Sequence, residues 1–247
     1  METANPALSS STFTGFGRIA AADAMSIQGT VNKTLVLLLC VVLTATWVWN
    51  LFYQTMNPNV VVPWLAVGAI AGFIVGLITI FKKTWAGVTA PIYALLEGLV
   101  LGGLSALAEA QFQGIVIQAV ALTFGTFLAL LLAYKTRLIR ATENFKAGVV
   151  AATGGILLIY LATIILGFFG VQIPLIHQSG LVGIGFSVFV VIIAALNLVL
   201  DFDLVEQGAA AGAPKFMEWY AAFGLMVTLI WLYIEILRLL TKLRSRE

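Results

Sequence analysis

LNLVLDFDLVEQG (residues 196–208), a short run of small residues, and then MEWYAAFGLMVTLIWLYIEILRLL (residues 217–240) hold the pattern on which the fold turns. Both belong to apolar runs long enough to cross a bilayer, and both carry carboxylates where hydrocarbon is expected. Asp201 and Asp203 close the first run, and Glu235 sits inside the second. A charge at membrane depth is costly, so such residues face a bundle interior or a water-filled path and mark function by default. The ordinary alternative is a snorkelling or capping residue at a helix end. That alternative suits Asp203 and Glu206 equally well, Asp201 less, and Glu235 poorly.

Outward from these runs the chain repeats the same theme. Of its 247 residues 61% are hydrophobic and only 10% charged, with a mean hydropathy of +1.05. A soluble domain is roughly 45–50% apolar and about 25% charged. Seven apolar runs, near residues 34–52, 61–81, 88–107, 115–134, 148–169, 181–200 and 219–240, each approach the ~20 residues that span a bilayer. The expected fold is therefore an all-α integral membrane protein with seven transmembrane helices over residues 33–247. Residues 1–32, rich in Ser, Thr, Ala and Gly, read as a mobile or interfacial tail, with a weak amphipathic helix between Phe13 and Ile27. They lack the basic n-region and apolar h-region of a cleavable signal. Pro91 falls in the first turn of the third run, where a missing N–H costs little.

The thirteen Lys and Arg gather in connecting segments, most densely at Lys135, Arg137, Arg140 and Lys146. They form no contiguous basic face, which excludes a nucleic-acid partner. The positive-inside rule places the N-terminus in the cytoplasm. Seven full spans would then carry Arg238, Lys242, Arg244 and Arg246 outside. Either the last segment enters partway and returns, or the earlier loops decide the topology; seven full spans are preferred. The single cysteine, Cys40, makes no internal disulfide. Glycines at i, i+4 spacing (Gly68, Gly72 and Gly76; Gly98 and Gly102) read as seams where helices approach closely in lipid.

Most enzymes are excluded for want of parts. There is no HExxH, no GxSxG elbow and no P-loop, and the one histidine, His177, lies in a connection. No cofactor is expected. An intramembrane aspartyl protease would need sequence contexts that are absent. What remains is carboxylates in spans: Glu97, Asp201, Asp203 and Glu235. Two carboxyls held close in a low-dielectric site share a proton, and losing it pushes their helices apart. It also leaves an oxygen-rich site suited to calcium. The bland counterpart is local pairing: Arg238, three residues after Glu235, lies on the same helical face and can neutralise it.

At these residues the chain resembles the Bax-inhibitor family (the transmembrane Bax inhibitor motif proteins) in its bacterial branch. The likeness rests on EGLVLGGLSA (97–106), LVLDFDLVE (198–206), LYIEILRLL (232–240) and MSIQGTVNKT (25–34). It implies six helices wrapped around a central C-terminal helix, in the bacterial inner membrane. It also implies a pH-sensitive passive calcium leak gated by one acid from the sixth helix and one from the seventh. The first falls on Asp201, with Asp203 the alternative; the second falls on Glu235. Asp201 and Glu235 would meet the calcium ion, and Glu97 and Arg238 are pore or latch candidates. Glu235 stands where the family pattern has aspartate, and Arg238 where it has an uncharged residue. The implied partners are the lipid bilayer, a cation and a membrane protein. The alternative is a non-conducting regulator of a membrane protease or stress-response system; a proton-coupled transporter is a third reading.

Overall fold

In the computed structural model, residues 23–169 and 180–246 are described. His177 and the proposed amphipathic segment up to residue 22 lie outside them. Seven helices long and apolar enough to cross a membrane account for nearly all of the described chain. They are α1 (Ile27–Thr55), α2 (Pro58–Phe81), α3 (Ala86–Gln111), α4 (Ile115–Lys135), α5 (Glu143–Phe168), α6 (Leu181–Ala210) and α7 (Met217–Arg244). One turn of 3-10 helix, Lys83–Trp85, leads into α3.

Local chemistry sets most of the ends. Ser26 caps α1 by accepting from the Gly29 N–H, so the helix begins seven residues before the apolar run at Thr34. Asn57 caps α2 ahead of Pro58, and Thr142 caps α5 through the Phe145 N–H. Glu109, near the end of α3, accepts from the N–H groups of Gly114 and Val116 and so ties down the start of α4. Pro91 lies in the second turn of α3, not the first, because that helix starts at Ala86.

The larger difference from expectation is at α6, which continues ten residues past Leu200. Thirty residues make roughly 45 Å of helix, well beyond a hydrocarbon core of about 30 Å. The last turns, with Asp203 and Glu206, therefore project into the interfacial layer. A tight connector at 211–216, with Gly212 at φ 67°, returns the chain into α7. Residues before α1 close over this connector: Met25 N–H bonds Ala213 O at 2.6 Å, and Lys215 N–H bonds Asp23 O at 2.8 Å.

α7 is the centre. Of its most apolar stretch 67% is buried, against 50% for α6 and only 11% for α5. It packs on α1, α3, α4 and α6, while α2 lies outside against α3 and α1, and α5 outside against α6. The six-around-one arrangement is thus an inner ring of four helices with two outriggers. α7 runs unbroken from Met217 to Arg244, so a half-entering, returning last segment is overturned.

The glycine seams are real. A Cβ on Gly102 would sit 2.5 Å from Ala45 O of α1, and one on Gly68 would sit 2.7 Å from Leu96 O of α3. These close backbone crossings give α3 its firm hold on both α1 and α2.

Candidate functional site

Polar side chains are gathered along one line, where α5, α6 and α7 meet. At the end of that line nearest the start of α6, Glu235, 2% exposed, is held from two sides. Arg238 Nη1 donates to Oε1 at 2.9 Å and to Oε2 at 3.1 Å, and Tyr160 Oη of α5 donates to Oε1 at 3.0 Å. Arg238 also donates to Tyr160 Oη at 2.8 Å, with its guanidinium 5.4 Å above the ring. One turn further on, Lys242 is buried and donates to Gly183 O at 3.0 Å and Ser187 Oγ at 2.8 Å. A lysine can be held at such a place only by satisfying its ammonium with oxygens.

Mid-bundle, Asn197 of α6 donates to Thr153 Oγ1 of α5 and to Ile193 O, both at 2.8 Å. Asp201, one turn later on α6, is wholly buried. Toward the opposite end Asp203 pairs with Lys146 of α5 at 2.9 Å and accepts from Gln207 Nε2 at 2.6 Å and Tyr134 Oη at 3.3 Å. Tyr134 also donates to Glu206. Asp203, Asn197 and Glu235 are thus each bonded to α5, by Lys146, Thr153 and Tyr160 in turn.

These cross-links fix the register. With Lys242 opposite residues 183–187 of the antiparallel α6, Asp201 stands level with the residues around 226 of α7. Glu235 lies about nine residues further on, roughly 13 Å along the axis. The late end of α6 narrows the gap between the two acids but leaves them on different levels. Glu97 is apart from both. It lies in the α2–α3 seam, its Oε1 3.3 Å from where a Cβ on Gly72 would be. Among the described residues no group of three His, Cys, Asp or Glu side chains is placed to hold a metal ion.

A central C-terminal helix with the other spans around it is what the resemblance implied. The family model described as "Bax inhibitor 1 like" matches residues 5–245. The chain belongs to that family. No curated protein matches it significantly. As a Bax inhibitor 1 like protein it is a multi-pass membrane protein in contact with the bilayer.

Several residues of the polar line escaped the sequence. Lys242 follows Glu235 at i+7, on the face that Arg238 already marks, and Asn197 precedes Asp201 at i−4; that spacing was available. Tyr160 and Thr153 had no signal, since α5 shows no apolar periodicity to say which side faces inward.

Proposed function

We propose that this protein is a passive, proton-sensitive cation leak in a bacterial inner membrane, its N-terminus cytoplasmic and calcium its ion. Asp201 and Glu235 act as gate and pH sensor, with Asp203 at the inner mouth. One observation carries this reading: two carboxyls on adjacent spans, 0% and 2% exposed, stand in a line of polar groups that runs the height of the bundle. Membrane carboxyls so placed mark ion or proton paths.

In this reading the path is shut. A cation coming from the inner side meets Asp203 and then Asp201. It then faces Arg238 and Lys242, whose positive charge in a low-dielectric setting opposes it. Opening requires the Glu235–Arg238 pair to part, and the guanidinium, 39% exposed, already has a way out toward the headgroups. Protonation of Glu235 weakens its hold on Arg238, and protonation of Asp201 removes the charge that draws the cation inward. The two acids sense protons at separate steps of one path and not as a dyad. Glu97 serves as a latch between α2 and α3, away from that path.

Calcium flux into proteoliposomes across pH tests this, comparing wild type with Asp201→Asn and Glu235→Gln. Each substitution is expected to change the flux and flatten its pH response; wild-type behaviour in both sinks the gate. A second reading, a non-conducting regulator of a membrane protease or stress system, draws support from the same Glu235–Arg238 pair, which leaves little net charge for an ion to meet. A membrane partner captured by the full chain and lost on deletion of residues 1–22, with flux at background, favours the regulator. The deletion stops there because Ser26 caps α1 and bonds Glu218.

A further inference from the structure

α1 and α4 both flank α7 without packing tightly on each other. Between them runs a cleft in two parts. The inner part, about 940 Å³, lies among residues that include Thr34, Phe127 and Leu131. The outer part, about 510 Å³, is walled by Val41, Ala45 and Val120. Leu38, Phe124 and Leu229 line both parts, so the two join into one furrow floored by α7. Its lips are apolar and face lipid: Leu35 of α1 and Leu128 of α4 are each 55% exposed.

The inner end differs in charge. Lys135, Arg137 and Arg140 border it, and none of them forms an ion pair among the described residues. The two acids on the same rim are already engaged, Asp203 by Lys146 and Glu206 by Tyr134. The cations sit on a fixed turn. Arg137 takes φ 60°, its N–H bonds Tyr134 O at 3.0 Å, and the N–H groups of Leu138 and Ile139 both bond Ala133 O. That left-handed cap closes α4 and sets the three cations at the headgroup level.

We propose that this furrow holds one anionic phospholipid, its phosphate at Arg137 and Arg140 and an acyl chain between α1 and α4 against Leu229. An alkyl chain matches the apolar walls. A net negative headgroup matches a rim whose cations lack protein partners, as basic pockets between spans do on the inner leaflet. A zwitterionic lipid brings its own ammonium to that rim and gains less. The proposal is independent of whether the protein conducts ions.

Native mass spectrometry of the full chain in neutral detergent, titrated with phosphatidylglycerol and phosphatidylcholine of the same acyl chains, tests it. Wild type is expected to retain one phosphatidylglycerol per chain in preference to phosphatidylcholine. Arg137→Gly, a residue suited to that left-handed turn, and Arg140→Gln are each expected to lower phosphatidylglycerol retention roughly fivefold and leave phosphatidylcholine unchanged. Leu38→Trp, which narrows the junction of the two parts, should reduce retention of both lipids. Equal retention of the two lipids by wild type overturns the proposal. So does unchanged binding in both arginine variants, unchanged binding in Leu38→Trp, or a lipid-free dimer, which would make a second copy the occupant.

Discussion

Arg238 and Glu235 show how a charge is kept in this membrane interior. Glu235 is buried and its partner is partly exposed, so the pair is an acid held in place by a base that reaches the protein surface. Removing only the base leaves a buried carboxylate that still accepts from the Tyr160 hydroxyl. Arg238→Gln is therefore expected to cost about 2–3 kcal/mol, below the figure for a fully buried pair because the guanidinium is part-solvated. Adding Glu235→Gln should recover most of that loss, and thermal unfolding in detergent of the two singles and the double reads both effects. The pairing itself was legible, since Arg238 follows Glu235 by three residues on a helix. The level at which Glu235 sits was not. It depends on where α6 ends, and LDFDLVEQGAA reads as the edge of an apolar run although Asp203 is satisfied by Lys146, Glu206 by Tyr134, and the helix goes on.

The helices divide into firm and loosely anchored ones. α1, α2 and α3 meet at glycines whose missing side chains set the distance between backbones. Gly102→Ala drives a methyl group against Ala45 O and is expected to cost about 1–3 kcal/mol. Gly154→Ala meets nothing within 4 Å and should change stability by less than about 1 kcal/mol. The same melting assay ranks them. The i, i+4 spacing made the first group visible in the sequence, whereas a Cβ on Gly154 or Gly155 would meet nothing within 4 Å. α5 is the opposite case: only Val149 and Ile156 are buried among its described residues, and Lys146, Thr153 and Tyr160 tie it to α6 and α7. Hydrogen exchange should accordingly be fastest in α5 and slowest in α7 among the spans, because few apolar contacts resist its local opening. Equal protection of the two would show that polar ties alone suffice to hold a helix here.

For the molecule as a whole, seven unbroken spans put the two ends of the chain on opposite sides of the membrane. The four cations of α7 and its tail had argued against this. Two of them are now accounted for inside the protein, Arg238 on Glu235 and Lys242 on Gly183 and Ser187, which leaves Arg244 and Arg246 as the charge at that end of the chain. In a Cys40→Ala background, a cysteine at Thr136 and one at Ser245 should react with a membrane-impermeant thiol reagent from opposite faces. Reaction from the same face would return α7 to the drawing board. The number of spans could be read directly from hydropathy, because twenty apolar residues in a row have few other uses. Which helix is central could not, since α7 is no more apolar than its neighbours; the resemblance supplied that expectation.

Because the axial helix is the seventh to emerge from the ribosome, the other six must wait in the bilayer around an unfilled middle. Early spans of many proteins settle as they are made; here settling is deferred until residues 217–244 have been threaded. Chains cut short before Met217 lack the helix on which α1, α3, α4 and α6 pack, and become natural prey for membrane quality control. Biogenesis of this protein is thus nearly all-or-none.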